Sequence, residues 1–519
     1  MLNKMKSNYK SVIYTLCFFF LCVIDQRLGS VGGLMQFFWS NCVGFSFAIV
    51  ILLQYKIKDF FKLKYLIWTI LCAIAAPVAT VLRSPDIPAC QWYPAVANVI
   101  LYGYLIIRTI DFHIHNRWDK KDYFMPAFLV ISLLGMGLSR NDNLWPWYYL
   151  MIFGTLSFTN FNEKERATVF DSLSNGILLG FFIIQGLGFV FRPYDVVRYN
   201  GMYANPNINA LFYSIVYCAF LAKLMKFLFA KKIKLRVLGI IVTLFFSGGM
   251  WAFIIFTGCR SALVSLAATT AFAGIMILVK GTKKELLKHL ALVPGLVLCI
   301  VITIPLVYSC IRYLPAYFHH PVWFASEYSE SKVHSWDPID SEKYISPEEA
   351  FDYYLGRYFT NTEPESDSRS APARSRSVIT RSAPPAALTE NTNNSMEIRA
   401  AVWKYYGGKL NLFGHLQEEH GVQVTPEYYA PHTHNFIMQF LFDFGILWGL
   451  LPLLFVIVKI IFYTKRECTQ KDASLYMILP LCGINLISFG LTELFWRNGY
   501  LGLVLFFAFI SVSQKKRNS

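Results

Sequence analysis

Two histidines precede a long apolar run near the end of the sequence, and polar residues continue into that run. His432 and His434 are followed by Asn435, after which Gln439 and Asp443 recur at intervals of four residues. Residues four apart lie on one face of a helix, so this spacing predicts a helix with a polar stripe. An imidazole has an ordinary pKa of about 6.5 and can act as a general base toward a hydroxyl group. The simpler alternative is that the histidines only cap the helix.

Two arginines lie where other apolar runs begin or end. Arg198 precedes the turn residues Asn205, Pro206 and Asn207, and Arg260 lies between two apolar runs. A guanidinium stays charged and offers a planar fork that matches phosphate, whereas an ammonium is a hydrated point charge. These arginines are therefore candidate phosphate ligands. The alternative is that they extend toward lipid headgroups or pair with nearby carboxylates.

A third arginine, Arg399, lies in the segment EIRAAVWKYYGGKL, which has the pattern of a helix. Its side chain is a further candidate for binding an anion. Its spacing also allows a surface salt bridge with Glu397 or Glu390, and on spacing alone that salt bridge is the more ordinary interpretation.

The elements that hold these residues are predicted to be membrane-spanning helices. Hydrophobic residues make up 55% of the 519 residues, and charged residues only 15%. Soluble domains carry about 25% charged residues, so the composition excludes a soluble enzyme, a disordered hub and a disulfide-stapled secreted module. The eleven cysteines lie mostly in apolar runs without C-x-x-C spacing, so neither a zinc site nor a redox pair is predicted.

Apolar runs near the roughly 20 residues that span a bilayer recur along the chain. The predicted spans are 11–24, 33–54, 65–82, 93–110, 125–138, 144–158, 174–191, 208–229, 237–257, 261–279, 289–311, 434–463, 475–490 and 498–513. The two runs near 125–158 are short, so we predict about 12–14 spans. The spans are predicted to be helices, because lipid offers unpaired backbone groups no hydrogen-bond partner. The predicted fold is therefore an all-α polytopic membrane protein.

Lysines and arginines are distributed unequally between the two predicted faces. The net charge of +16 comes largely from lysines in alternate connections, which predicts that both termini are cytoplasmic and argues against a nucleic-acid partner. The first run lacks an A-x-A-like cleavage site, so we expect a retained anchor. The opposite face has arginines and no lysine in its short loops: Arg27, Arg83, Arg140, Arg192, Arg198, Arg260 and Arg497.

The apolar pattern divides the chain into three parts. Residues 1–311 hold the first eleven spans, 312–433 form one large external loop, and 434–519 hold the last three spans and a cytoplasmic tail. Within the loop, 362–396 is rich in Ser, Ala, Pro and Arg and is predicted to be disordered, because it cannot bury enough apolar surface. A helix is expected to resume near Met396.

Four short motifs, in order, resemble the O-antigen ligase/polymerase superfamily of membrane glycosyltransferases. In HTHNFIMQFLFDFG, His434 and Asn435 match the signature of that family, with nine residues before Gly445. The chain departs from the pattern at Trp448, where the family has a small residue; Gly449 lies one position late. RYNGMYANPN, TGCRSAL, and Arg399 with Trp403 resemble three further family segments.

The resemblance implies an inverting, metal-independent transfer at the outer face of the bacterial cytoplasmic membrane. The donor would be a glycan on a polyprenyl diphosphate, and the acceptor a glycan, a lipid or a protein; no cofactor is implied. Beside the arginines the sequence offers no D-x-D-like metal motif; Asp337 and Asp340 are spaced wrongly and lie in the loop. The predicted catalytic residues are His434, Arg260 and Arg198, and the predicted substrate-binding residues are Arg399, Asn435, His432, Asn207 and Gln439.

Two other classes of function stay open on the sequence. A transporter or flippase of lipid-linked sugars would have a similar composition, although no related halves with broken helices are found. A non-catalytic membrane scaffold is the second alternative. Within the glycosyltransferase interpretation, ligase and polymerase share the same chemistry, and the sequence does not separate them.

Overall fold

The computed structural model describes residues 2–23, 49–50, 53, 61–83, 163–203, 205–229, 236–281, 289–323, 332–356, 395–416, 421–425, 428–430, 432–469 and 477–493. Within these residues the structure is mainly helical. The helices are α1 (Leu2–Val23), α2 (Leu63–Arg83), α3 (Glu163–Phe191), α4 (Pro206–Phe229), α5 (Arg236–Thr257), α6 (Arg260–Lys280), α7 (Leu292–Phe318), α8 (Pro347–Phe351), α9 (Ser395–Gly408), α10 (Phe436–Phe444), α11 (Ile446–Thr469) and α12 (Ile478–Gly490). A π-helical turn, Asp352–Gly356, follows α8.

Of the described helices, five are long and apolar enough to cross a membrane: most of α3, and all of α4, α5, α6 and α7. Each overlaps a predicted span, which confirms the prediction of a helical protein with several such segments in this part of the chain. α7 continues to Phe318, beyond the predicted end at 311. The predicted spans 93–110, 125–138, 144–158 and 498–513, and most of 33–54, lie outside the described residues.

α4 is the central helix of the described bundle. It packs against α3, α5, α6 and α12, and side chains along its length, including Tyr217 and Cys218, are fully buried. Asn485 of α12 joins this helix to its neighbours, because Ser214 Oγ donates to Asn485 Oδ1 at 2.8 Å and Asn485 Nδ2 donates to Thr269 Oγ1 at 3.3 Å. Such interhelical hydrogen bonds stabilise contacts between apolar helices.

The alternating direction of α3 to α6 places the arginine segments and several lysines at opposite ends of the bundle. Arg198 lies in the connection between α3 and α4, and Arg260 is the first residue of α6, at the same end of the bundle. At the other end, Lys223 of α4 pairs with Asp171 of α3 at 2.7 Å, and Lys280 of α6 pairs with Glu467 of α11 at 2.9 Å. These two lysine pairs therefore lie at the end opposite to Arg198 and Arg260.

The segment that follows α7 packs over the helix ends near Arg198. Ile345 N donates to Tyr194 O at 3.0 Å. The Tyr354 hydroxyl lies within hydrogen-bonding distance of Val197 O (3.0 Å) and Phe256 O (2.7 Å). The first part of the predicted external loop is thus attached to the connection that carries Arg198.

A two-stranded antiparallel hairpin, β1 (Val422–Thr425) and β2 (Tyr428–Ala430), departs from the all-α prediction. It packs against Tyr406 of α9 and Phe442 of α10. β-Branched and aromatic residues dominate these short strands, and such residues favour strand geometry. α9 begins at Ser395, so the end of the predicted disordered stretch 362–396 is helical; the rest of that stretch lies outside the described residues.

The predicted span 434–463 is two helices rather than one. α10 ends at Phe444 and α11 begins at Ile446, because Gly445 between them has a φ of +85°, a conformation that glycine adopts at little cost. A Cβ at Gly445 would lie 2.1 Å from the Leu412 carbonyl oxygen. The turn after α9 therefore approaches this break closely enough to exclude any side chain.

Candidate active site

The connection between α3 and α4 is held by a buried arginine. Arg192 Nε donates to Gly201 O at 2.7 Å, and its Nη1 donates to Val322 O at 2.8 Å. Gly201 has a φ of +55°, and a Cβ there would lie 2.7 Å from the Asn209 side chain. Arg192 therefore stabilises the turn that positions Arg198. Three other predicted outer-face arginines, Arg27, Arg140 and Arg497, lie outside the described residues.

Arg198 lies where α4 begins and α5 ends. Its Nε donates to Thr257 O at 2.8 Å, and its Nη2 donates to Asn207 Oδ1 at 2.5 Å. Gly258 has a φ of +63°, and a Cβ there would lie 3.3 Å from Arg198 Nε, so a glycine allows the α5–α6 turn to pass close to the guanidinium. The structure thus brings together two predicted site residues, Arg198 and Asn207.

Arg399 pairs with a carboxylate far along the chain instead of a neighbour on its own helix. Its Nη2 lies 2.8 Å from Glu493 Oε1, and its Nη1 donates to Thr492 O at 2.9 Å. The predicted salt bridge with Glu397 is not formed, and Glu390 lies outside the described residues. The pairing joins α9 to the residues that follow α12.

Glu493 is a site residue that the sequence reasoning did not identify. Its Oε1 also accepts a hydrogen bond from Asn207 Nδ2 at 3.4 Å, so Asn207 lies between Arg198 and this carboxylate. Burial raises the pKa of Glu493 above its ordinary value, while the charges of Arg399 and Arg198 act in the opposite direction. The available signal was a lone acidic residue directly after an apolar run, on the arginine-bearing side.

His434 and His432 lie together at the start of α10. Their ring centroids are 4.3 Å apart, and the rings are nearly edge to face. His434 has a φ of +51°, which costs a residue with a side chain roughly 1–2 kcal/mol. Burial, with a smaller contribution from the charge of Arg399, lowers the pKa of His434 to about 4. The imidazole is therefore neutral at neutral pH.

The polar stripe predicted on the helix is divided between a cap and the interior. Asn435 is the N-cap of α10: its side chain accepts from Met438 N, and its Nδ2 donates to Leu491 O at 2.9 Å. The capping alternative thus applies to Asn435 rather than to the histidines. Gln439 is buried, accepts from Thr433 N at 2.9 Å and donates to Asp443 Oδ1 at 2.7 Å, so it supports the turn from within.

Arg260 is the first residue of α6, and its side chain is exposed. It makes no side-chain hydrogen bond or ion pair with the residues that the structure describes. Its neighbour Ser261 lies 2.6 Å from Thr492, hydroxyl to hydroxyl, which places the start of α6 beside the segment that carries Glu493. Arg198 and Arg399 thus act on one carboxylate, Glu493, and this excess of positive charge suits a polyanionic ligand. Among the described residues, the Arg260 side chain is not brought into contact with these groups.

Comparison with known proteins gives no neighbour. No family model, no curated protein and no solved structure matches this chain. The resemblance to the glycosyltransferase superfamily therefore depends on the motif residues themselves. Among the described residues, no group of three or more His, Cys, Asp or Glu side chains is placed to hold a metal ion.

Proposed function

We propose that this chain is a membrane glycosyltransferase of the O-antigen ligase/polymerase type. It transfers a glycan from a polyprenyl diphosphate to an acceptor hydroxyl, with inversion and without a metal, at the outer face of the bacterial cytoplasmic membrane. One observation carries the proposal: two arginines from segments far apart in the sequence approach the carboxylate of Glu493. Arg399 contacts it directly at 2.8 Å, and Arg198 is joined to it through Asn207. Two arginines beside one carboxylate leave an excess of positive charge, which suits the binding of a second anion.

The arginines suit the charge that develops during glycosyl transfer. A diphosphate gains negative charge as its bond to the sugar breaks, so fixed cations stabilise the transition state more than the ground state. Arg198 and Arg399 are already held by hydrogen bonds to Thr257 O and Thr492 O. A group that is positioned in advance needs little reorganisation when the reaction occurs.

The height of the site also suits a lipid-linked donor. Arg198 and Arg260 lie at one end of the helices α3 to α6. These four helices are long and apolar enough to cross a membrane. In the proposed orientation, with the lysine-bearing end in the cytoplasm, the end that carries Arg198 and Arg260 lies at the outer surface. The diphosphate of a polyprenyl lipid lies at the same level.

A transfer to a hydroxyl also requires a group that accepts the proton of the acceptor. Besides the imidazole of His432, two side chains in the described part of the site can do so: the imidazole of His434 and the carboxylate of Glu493. Both lie near Arg399, whose charge influences the pKa of each. Acceptor binding is therefore proposed on the side of the site formed by α9, α10 and the end of α12.

The test is turnover by the purified protein in vesicles that contain a fluorescent polyprenyl-diphosphate glycan. We expect release of polyprenyl diphosphate, with chain lengthening from the donor alone for a polymerase, or a requirement for a second acceptor for a ligase. Arg198→Ala should lower kcat by about 100-fold, as loss of a stabilising donor does. Arg260→Lys should also lose most activity, because an ammonium cannot replace a planar fork.

The matched control is Lys409→Ala, which removes an exposed cation that contacts only Tyr405 among the described residues; its rate should equal that of the unaltered protein. Transport of the intact donor across the vesicle membrane, without release of diphosphate, would contradict the proposal and favour a flippase. Unchanged surface glycan in cells carrying Arg198→Ala would instead indicate a scaffold.

A further inference from the structure

We infer that Glu493, rather than His434, is the general base that takes the proton of the acceptor hydroxyl. This inference rests on the proposed function and assigns a chemical role to a residue that no motif marks. The two oxygens of the Glu493 carboxylate have different surroundings.

One oxygen of Glu493 is fully engaged and the other is available. Oε1 accepts from Arg399 Nη2 at 2.8 Å and from Asn207 Nδ2 at 3.4 Å. Oε2 accepts no hydrogen bond from any residue that the structure describes, and the side chain keeps 11% of its surface exposed. A general base needs one lone pair directed at the substrate and a second contact that holds the group still. Arg399 and Asn207 supply this second contact to Glu493, and Oε2 is the oxygen that we propose faces the acceptor hydroxyl.

The backbone that carries Glu493 is attached to three other elements. Asn435, the cap of α10, donates to Leu491 O at 2.9 Å. Arg399 of α9 donates to Thr492 O at 2.9 Å, and Ser261 of α6 contacts the Thr492 hydroxyl at 2.6 Å. Catalytic groups must be held close to their reactive geometry by the surrounding structure. Residues 491–493, just after α12, are held in this way.

The charges that face Glu493 set its basicity. Arg399 of α9 and Arg198 of the α3–α4 connection favour its ionised form, and Cys259 before α6 and His434 before α10 are the neighbouring titratable groups. Burial of Cys259 raises its pKa to about 11, so the thiol stays neutral. Burial raises the pKa of Glu493 and lowers that of His434 to about 4. A base becomes more effective as its pKa approaches the working pH, which favours the carboxylate.

The proton transfer balances the charge of the reaction. The acceptor oxygen forms a bond to the anomeric carbon, the bond from that carbon to the diphosphate breaks, and its electron pair leaves with the diphosphate. The hydroxyl proton moves to Glu493 Oε2. The diphosphate gains one negative charge as Glu493 loses one, so the total charge facing Arg198 and Arg399 is the same before and after transfer. The arginines then stabilise the shift of charge toward the leaving group.

The experiment compares Glu493→Gln, Glu493→Ala and His434→Gln in the vesicle assay. Glu493→Gln keeps the shape of the side chain but cannot accept a proton, so kcat should fall by about 100-fold or more, with donor binding retained. Formate, a small carboxylate, should restore part of the activity of Glu493→Ala. In the unaltered protein kcat should decline as the pH falls through the raised pKa of Glu493. His434→Gln should lose less activity than Glu493→Gln and keep this decline.

The outcomes distinguish failure of the assignment to Glu493 from failure of the proposed function. If Glu493→Gln retains most of kcat while His434→Gln abolishes both activity and the acidic decline, the assignment to Glu493 is overturned and the glycosyltransferase stands. If formate has no effect on Glu493→Ala, although that variant binds donor and melts like the unaltered protein, the carboxylate is structural and the assignment is also overturned. No release of diphosphate by the unaltered protein from any lipid-linked glycan would refute the proposed function itself.

Discussion

At the residue scale, the fork of a guanidinium explains how single arginines hold two segments together at this end of the bundle. Arg399 contacts the Glu493 carboxylate and the Thr492 carbonyl with two nitrogens at once, and Arg198 similarly joins Thr257 to Asn207. A lysine has a single nitrogen and could not hold two segments in one planar arrangement. Each arginine thus holds backbone in place, and in the proposed function it also presents charge to the diphosphate.

The lowered pKa of His434 predicts a pH-dependent contribution to stability. An imidazole that titrates at about 4 when folded and 6.5 otherwise favours the folded state above pH 6.5, and this contribution is lost as the pH falls toward 4. The difference in melting temperature between the unaltered protein and His434→Gln should therefore move in favour of the variant between pH 7.5 and pH 5. Thermal unfolding in detergent measures it.

Two comparisons control this measurement. Lys409→Ala, which changes no histidine, should keep the same difference from the unaltered protein at both pH values. Arg399→Gln should raise the pKa of His434 only in part, because burial is the larger cause of the shift. A difference between the unaltered protein and His434→Gln that does not change with pH would contradict the buried, neutral imidazole.

At the element scale, the break between α10 and α11 determines where Asn435 and His434 lie. Gln439 and Asp443 lie one turn apart within α10, before the break. The break at Gly445 lets the turn after α9 pack against the end of α10, where a Cβ at Gly414 would also lie 2.2 Å from Asp443 O. Gly414 and Gly445 thus allow the turn after α9 to pack against the end of α10. Because Asn435 also holds the start of α10 to Leu491 O, the helix is fixed at both ends.

Gly445→Ala should lower the free energy of unfolding by more than about 1 kcal/mol, because alanine is unfavourable at positive φ and its Cβ would clash with Leu412 O. The matched control is Gly274→Ala in α6, where a Cβ meets nothing within 4 Å among the described residues. That change should be neutral or stabilising by up to about 1 kcal/mol. Melting temperature and activity, measured together, check both; equal effects at the two glycines would contradict the role of the break.

At the scale of the whole molecule, helix direction decides which segments meet. Because α3 to α6 alternate in direction, the end of α3, the start of α4, the end of α5 and the start of α6 share one end of the bundle. The segment after α7, α9, and residues 491–493 pack at that same end. Residues of four separate motifs are therefore neighbours, and the pairs Lys223–Asp171 and Lys280–Glu467 lie at the opposite end.

The proposed orientation predicts that the end of α11 lies in the cytoplasm and the segment after α7 lies outside. Cys468 is the one exposed cysteine among the described residues, so a membrane-impermeant maleimide should label it only after intact cells are permeabilised. Asp340→Cys, placed at an exposed position after α7, should be labelled in intact cells. Labelling is compared with a Cys468→Ser chain. Labelling of Cys468 in intact cells would reverse the orientation.

The sequence by itself determined the apolar runs that become α3 to α7 and marked Arg198, Arg399 and His434 as candidate site residues. These follow from hydropathy and short spacings, which are local properties of a chain. The tertiary structure decided that Arg399 pairs with Glu493, that Asn435 caps α10, and that 434–463 divides at Gly445. Such features depend on contacts between segments far apart in sequence, which helix packing brings within hydrogen-bonding distance and local patterns do not encode.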